Sequence, residues 1–95
     1  MEVTVKFFTT LREIIGRKEE TLELTEDSTL NDLLEKLSQK HGSKVAEYLY
    51  DKKAKQVESS LQFLVDGVSV STLQGVKTKL KNGNVIAIIP PVGGG

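Results

Sequence analysis

The residues that could carry chemistry lie at the C-terminus, where an apolar run leads into prolines and glycines. They are Pro90, Pro91, Val92 and a glycine tail formed by Gly93, Gly94 and Gly95. Glycine lets a backbone enter a narrow channel, and the prolines stiffen the exit so that less ordering entropy is lost on binding. A carboxylate is a poor electrophile until ATP activates it. We therefore expect Gly95 to carry the reacting carboxylate; the alternative is an ordinary frayed terminus.

The other side chains offer no set of catalytic groups. The chain has no cysteine and one histidine, His41, which excludes disulfides, thiolate metal sites and a cysteine nucleophile. A single histidine cannot assemble a zinc site or a nucleophile triad, and a helix C-terminus would account for its position. We expect no metal, no bound cofactor and no autonomous active site, so the chain is not an enzyme on its own.

Composition predicts one ordinary globular domain. The 95 residues are 38% hydrophobic, and 13 basic residues balance 13 acidic ones. A net charge of zero supplies no field that would attract nucleic acid or an anionic membrane. No apolar run reaches the ~18 residues that span a bilayer, and the opening MEVTVKFF lacks the pattern of a secretory leader. We expect a cytoplasmic protein.

The charges are distributed unevenly along the chain. No acidic residue follows Gly67, whereas Lys77, Lys79 and Lys81 all lie in that stretch. One interpretation is a solvated turn flanked by lysines. The other is a docking edge for an acidic partner surface.

The first third of the chain predicts two strands and a short helical turn. Apolar and polar residues alternate from Val3 to Phe7, the period of a half-buried strand, and Phe8 puts an aromatic ring on the polar side. Residues 9–16 fit a helical turn closed by Gly16. A second strand over residues 20–25 would pair with the first as a hairpin.

The clearest helix is predicted over residues 29–41. Its leucines recur at i, i+3, i+4 and i+7, on one stripe of an α-helix. Thr29 followed by Asp32 is typical of a capping box, and Gly42 would end the helix in a left-handed conformation.

The remaining chain predicts a weaker helical turn, a loop and more strands. We assign residues 43–50 to the turn, 51–60 to an exposed loop and 61–65 to a strand that ends in the Asp66-Gly67 hairpin turn. Val68 and Val70 would lie on its return. Residues 81–84 form a second turn before Val85–Ile89, a strand apolar on both faces, which lies in the middle of a sheet or exposes one face to a partner. The prediction is an α+β fold with a sheet packed on one main helix and the first and last strands adjacent.

The sequence resembles the MoaD/ThiS family of ubiquitin-like sulfur carriers, most closely the small subunit of molybdopterin synthase. The resemblance spans nearly the whole chain except residues 43–60, and Gly93 stands where such carriers often have Ala or Ser. The matching segments are residues 5–8, 11–13 and Gly16, the leucine helix that starts at Thr29, residues 64–67 and residues 80–95.

The resemblance implies a β-grasp domain over residues 1–91 and a flexible tail over 92–95. It also implies that an E1-like enzyme uses ATP and Mg²⁺ to adenylate Gly95, which then becomes a thiocarboxylate. With the large subunit of molybdopterin synthase, the chain would give this sulfur to a pterin precursor. The alternatives are a modifier joined to lysines through Gly95, a carrier for thiazole (thiamine) synthesis or tRNA thiolation, and a plain β-grasp interaction module.

The resemblance also implies an apolar docking surface on the sheet beside the tail. Phe8 and Ile89 occupy matching places, Arg12 could add a contact at the rim, and Pro90, Pro91 and Val92 would complete the partner-binding residues. The competing interpretation buries Phe8 and Ile89 in the core and leaves Arg12 as a solvated charge with its stem on the core.

Overall fold

The computed structural model describes residues 1–91. They form a five-stranded sheet, three α-helices and a small two-stranded sheet. No helix in this range is long and apolar enough to cross a lipid bilayer. The elements are β1 (Glu2–Lys6), α1 (Thr9–Ile15), β2 (Glu19–Glu23), α2 (Leu30–His41), α3 (Ser43–Leu49), β3 (Tyr50–Asp51), β4 (Gln56–Val57), β5 (Gln62–Val65), β6 (Val68–Ser69) and β7 (Val85–Ile89), with 3₁₀ turns at Val70–Thr72 and Gly75–Lys77.

The large sheet has the order β2-β1-β7-β5-β6 and is mixed. β1 and β7 are parallel, with Thr4 opposite Val85 and Lys6 opposite Ala87. The other pairs, β1 with β2, β5 with β7 and β5 with β6, are antiparallel. The predicted α+β fold is confirmed, and so is the adjacency of the first and last strands.

Helix α2 packs across one face of this sheet. Its four leucines, at positions 30, 33, 34 and 37, are fully buried, and burial of each contributes about 1.5–3 kcal/mol. They meet the inward-facing residues of the two central strands. These residues are Val3, Val5, Phe7, Ile86 and Ile88.

The capping box of α2 is confirmed at its first turn. The side chain of Thr29 accepts a hydrogen bond from the backbone N–H of Asp32, and the Asp32 carboxylate accepts one from the backbone N–H of Thr29 at 2.8 Å. Gly42 ends the helix with φ 95° and ψ −169°. The positive φ explains the glycine, but the predicted left-handed helical conformation is wrong for Gly42; Gly16, at φ 84° and ψ 17°, does adopt it.

Two sequence expectations need correction, and a third needs an addition. The predicted loop 51–60 contains β4, which pairs with β3 in antiparallel register, because the Asp51 carboxylate accepts two backbone N–H groups and closes the turn between them. Val70 begins a 3₁₀ turn instead of extending β6, because it turns inward and is buried. His41 lies in the last turn of α2, as expected, and its Nε2 atom also lies 2.8 Å from the buried carboxylate of Glu20.

Candidate docking face and C-terminal exit

Strand β7 leads to the tail and lies in the middle of the sheet, and the side chains on its two faces differ in burial. Ile86 and Ile88 point into the core and are at most 1% exposed. Val85, Ala87 and Ile89 alternate with them and are half-buried on the opposite face. The first interpretation of this doubly apolar strand is confirmed, since β7 is central; the use of its second face by a partner stays a prediction.

The register of the sheet extends this apolar strip sideways. Leu64 of β5 lies opposite Ala87, and cross-strand partners share a face. We call the set Val85, Ala87, Ile89 and Leu64 the open face. Polar residues border it on the neighbouring strands: Thr4, Lys6 and Gln62.

Phe8 follows the end of β1, two residues beyond Lys6. The β1–β7 pairing ends with Lys6 opposite Ala87, and the same register continued by two residues would bring Phe8 level with Ile89. The backbone of Phe8 is extended, at φ −131° and ψ 154°, and forms the N-cap of α1. Phe8 and Ile89 are both half-buried and lie outside the hydrophobic core. Core burial therefore does not account for either side chain.

Arg12 reaches this corner of the sheet from α1. Its Nε atom donates a hydrogen bond to the backbone carbonyl of Phe7 at 3.1 Å, and its guanidinium carbon lies 5.6 Å from the centroid of the Phe8 ring. That distance permits a cation–π interaction. The stacking joins a fixed positive charge to the apolar ring, a suitable arrangement at the rim of a docking surface.

The connection between β1 and α1 contains a residue that sequence reasoning missed. Thr9, directly after Phe8, has φ 42°, which is unusual for a β-branched side chain and costs about 1–3 kcal/mol. Nothing in the residue type indicates it, since Gly or Asn is usual at such a φ. Leu64 and Val85 were also missed as surface residues, because their common face follows from the register.

Asp66 fixes the start of β7. Its Oδ1 atom accepts a hydrogen bond from the backbone N–H of Val85 at 2.8 Å, and its Oδ2 atom accepts one from the side chain of Asn84 at 2.7 Å. The turn that precedes β7 is thereby joined to the β5–β6 hairpin. These two hydrogen bonds fix the position at which β7, the strand that leads to the tail, begins in the sheet.

The exit from the sheet is described as far as Pro91. Pro90 is half-buried and Pro91 is exposed. Val92 and the glycine tail, Gly93, Gly94 and Gly95, lie outside the described residues. Within residues 1–91, no group of three or more His, Asp or Glu side chains is arranged to hold a metal ion.

Comparison with known proteins identifies the family. The family model described as the ThiS family matches residues 5–95. The chain belongs to the ThiS family. It is a small ubiquitin-like carrier or modifier of the ThiS/MoaD type, and carriers of this family are not catalysts, bind no cofactor themselves and are activated by E1-like enzymes that use ATP.

Relatives of this ThiS-family chain carry different names. Small archaeal modifier protein 3 of Haloferax volcanii is 30% identical over 95 residues, which is the whole of both chains. The solution structure of small archaeal modifier protein 1 from Methanosarcina acetivorans is 32% identical, with a TM-score of 0.84 over 99% of this chain and 96% of that one. A candidate molybdopterin converting factor, subunit 1, from Pyrococcus furiosus is 30% identical, with a TM-score of 0.75 over 97% and 99% of the two chains.

Proposed function

We propose that this chain is a sulfur carrier that supplies sulfur for molybdopterin synthesis through a thiocarboxylate at Gly95. The observation that supports it most is the course of β7, which runs through the centre of the sheet and ends at Ile89, a residue of the open face. The chain then continues through Pro90 and Pro91 into the glycine tail. A docked partner would thus receive the tail from a fixed direction.

In this proposal, residues 1–91 are the domain that the partner holds and residues 92–95 are a flexible arm. Extended at ~3.3–3.6 Å per residue, the segment from Pro91 to Gly95 reaches roughly 17 Å, far enough to enter a pocket. Phe8, Ile89, Pro90, Pro91 and Val92 would contact the E1-like enzyme, and Arg12 would pair with an acidic group at the rim. These residues bind and orient the tail, and the partner supplies the catalytic groups.

The chemistry at Gly95 follows from its carboxylate. A carboxylate oxygen attacks the α-phosphate of ATP, and pyrophosphate leaves; Mg²⁺ on the partner enzyme balances the phosphate charge. Hydrosulfide then attacks the acyl carbon of the adenylate and forms a carbon–sulfur bond, and AMP leaves with the electron pair of the broken carbon–oxygen bond. The sulfur of the resulting thiocarboxylate displaces a leaving group on a pterin precursor bound by the large subunit of molybdopterin synthase, and water then hydrolyses the acyl–sulfur bond to return the Gly95 carboxylate. Because the cycle consumes ATP, we assign it to the cytoplasm.

The molybdopterin assignment is supported by the sequence around the exit and by one relative. The Ile-Ile-Pro-Pro-Val run before the glycines resembles the molybdopterin synthase small subunit, and the Pyrococcus furiosus relative is described as a candidate molybdopterin converting factor. Carriers for thiazole synthesis or tRNA thiolation would use the same carboxylate chemistry. They would differ in the acceptor that the partner provides.

Protein modification is a second candidate, which the names of two relatives favour. The relatives from Haloferax volcanii and Methanosarcina acetivorans are both described as small archaeal modifier proteins. In this reaction a lysine amine of a target protein attacks the adenylated carbonyl of Gly95. The tail is then left in an isopeptide bond, and no sulfur is needed.

Mass spectrometry of protein isolated from its own cells separates the two reactions. A sulfur carrier gains mass at Gly95 equal to the replacement of oxygen by sulfur. A modifier leaves residues 82–95 on target lysines after trypsin digestion, because Lys81 is the last cleavage site. Absence of both products during growth that requires molybdenum enzymes would contradict the carboxylate chemistry.

A genetic experiment tests the acceptor. Cells that lack the gene should lose molybdopterin, and the intact chain should restore it. A variant without Gly94 and Gly95 keeps the domain intact, so it should fold and yet fail to restore molybdopterin. Normal molybdopterin in the deletion strain would overturn the assignment even if a thiocarboxylate is present.

A further inference from the structure

A row of three lysines follows the 3₁₀ turn Gly75–Lys77, on a part of the molecule that the proposed sulfur transfer does not use. Lys77, Lys79 and Lys81 are exposed, and the two residues between them, Thr78 and Leu80, are buried. The alternation sends the three ammonium groups outward together. We call these three residues the lysine row.

The backbone holds the middle of this row in an extended conformation. Thr78 and Leu80 exchange hydrogen bonds with the segment that enters α2, from Leu30 N–H to the Thr78 carbonyl and from Leu80 N–H to the Ser28 carbonyl, each at 2.9 Å. Lys79 lies opposite Thr29 in this antiparallel bridge. Alternate residues of extended backbone are separated by about 6.6–7 Å, which is also the spacing of alternate side chains in an extended peptide.

The positive charge of the row is uncompensated within the described part of the chain. No carboxylate among residues 1–91 forms an ion pair with any of the three lysines; the pairs that do form involve other basic groups. In sequence, no acidic residue follows Gly67. The row therefore presents a local positive potential on a chain whose net charge is zero.

The row continues into a cleft of about 670 Å³ between α2, the β3–β4 hairpin and the turn Gly75–Lys77. Lys77 belongs to both, and Lys55, which lies between β3 and β4, contributes a second cation. Val57 and Val76 form an apolar part of the lining. The cleft therefore adds an apolar contact surface to the lysine row.

Tyr50 also lines this cleft. Its hydroxyl oxygen is buried and has no hydrogen-bond partner among residues 1–91, whereas buried polar groups are usually paired. Burial, and to a lesser extent the negative charge of Glu35, raises the pKa of Tyr50, so the hydroxyl keeps its proton for donation. Glu35 is the one acidic group that lines the cleft, and its side chain accepts a hydrogen bond from Asn31.

We propose that the lysine row and this cleft form a second docking site, whose occupant is an extended acidic segment of a partner protein. Acidic side chains at alternate positions would meet the lysines, one apolar side chain would lie against Val57 and Val76, and an acceptor group would receive the Tyr50 hydroxyl. The cleft is lined partly by α2, which packs on the face of the sheet opposite the open face, so the two sites lie on different sides of the sheet. The site can therefore be occupied while the tail is in an enzyme.

A labelled peptide tests the proposal on the full chain. The probe is a fluorescein-labelled peptide with glutamate at alternate positions and a single central valine, and binding is measured by fluorescence anisotropy and by amide chemical shifts. We expect shifts at Val57, Val76 and the lysine row, and an affinity that decreases with salt. The variant K77E/K79E/K81E should bind at least about tenfold more weakly, because three favourable charge contacts become unfavourable.

Two further variants separate the site from general electrostatics and from folding. K18E/K44E/K52E changes the net charge equally at other exposed lysines and should stay within about twofold of the wild type. Y50F removes a hydroxyl that has no hydrogen-bond partner among residues 1–91, so it should unfold like the wild type and bind about threefold or more weakly. If the K77E/K79E/K81E variant does not fold, the K77Q/K79Q/K81Q variant is used in its place.

The proposal is overturned by any of three results. An equal loss of peptide affinity in K77E/K79E/K81E and in K18E/K44E/K52E would show that the peptide is attracted nonspecifically by charge. Unchanged peptide affinity in Y50F would show that the cleft is not part of the binding site. Equally tight binding of an oligonucleotide of the same charge would show that the row attracts any polyanion.

Discussion

The Nε2 atom of His41 lies 2.8 Å from Oε1 of Glu20, and together they join the edge strand β2 to the end of α2. Glu20 is on the core-facing side of β2 with only 2% of its side chain exposed, and Lys40 Nζ lies 2.5 Å from its second oxygen. Burial by itself raises the pKa of Glu20. The hydrogen bonds and positive charges of Lys40 and His41 outweigh that effect, so the pKa lies below the ordinary value of 4.5.

The first prediction concerns the pH dependence of this contact. A lowered carboxyl pKa stabilises the fold above the ordinary pKa, and the stabilisation is lost as the pH falls through the folded-state value. Glu20→Gln should reduce the free energy of unfolding by about 1–3 kcal/mol at neutral pH, because Lys40 and His41 lose the buried carboxylate that they contact. Below pH 4.5 the difference from the wild type should shrink. Urea unfolding at a series of pH values measures both effects.

Glu19 supplies the control for this experiment. It neighbours Glu20 on β2 but is exposed, so Glu19→Gln should change the unfolding free energy by less than about 0.5 kcal/mol. A constant difference between the wild type and Glu20→Gln from neutral to acid pH would show that the carboxylate charge is not what stabilises β2.

The second prediction concerns the docking face. Phe8→Ser combined with Ile89→Ser removes two half-buried side chains that lie outside the core. The variant should still unfold cooperatively and should bind the E1-like enzyme at least about tenfold more weakly, since buried aromatic and aliphatic anchors dominate interfaces. Calorimetric titration with the enzyme measures the affinity, and urea unfolding measures the stability.

A core variant shows what a folding defect would look like in the same assays. Ile88, next to Ile89, is 1% exposed, and Ile88→Ala should destabilise the fold by about 2–5 kcal/mol. Loss of cooperative unfolding in the Phe8 and Ile89 double variant would mean that those residues support the core, contrary to the proposed docking role.

Sequence periodicity could identify the elements long enough to show it. The leucines of α2, the Thr29 capping box and the alternation in β1 all depend on local spacing, and the structure confirms them. Strands β3 and β4 have two residues each, too few for a pattern of period two. The β3–β4 hairpin therefore could not be recognised in the sequence.

Only those features of the candidate site that are visible within a single strand could be predicted from the sequence. The polar-side position of Phe8 and the doubly apolar β7 already indicated a surface beside the tail. The place of Leu64 on that surface depends on the register with Ala87, and the unusual φ of Thr9 has no signature in the residue type. The groups that contact the Glu20 carboxylate come mainly from α2. They are distant from Glu20 in sequence, so local residue spacing could not predict the contact.

The third prediction concerns Asp66, which fixes the first residue of β7. Asp66 has φ 49°, so glycine fits its backbone while removing both acceptor oxygens. Asp66→Gly should cost about 1–2 kcal/mol through the lost hydrogen bonds. Asp66→Asn keeps one oxygen for the Val85 N–H and tolerates the positive φ, so it should cost less. Urea unfolding with amide exchange at Val85 measures the two variants, and equal stability of Asp66→Gly and the wild type would contradict this role.

The fourth prediction concerns the stiffness of the exit from the sheet. Replacing Pro90 and Pro91 with alanine frees two φ angles, so the tail loses more entropy when it enters the activating enzyme. At about 0.4–1 kcal/mol for each proline, the KM for the carrier in ATP–pyrophosphate exchange should rise roughly four- to thirtyfold. The kcat should stay constant, because the reacting group on Gly95 is unaltered. The single variant Pro91→Ala is the cleaner test, since Pro91 is exposed and makes little contact with the fold. An unchanged KM in both variants, or a fall in kcat alone, would show that stiffness at the exit does not assist entry of the tail.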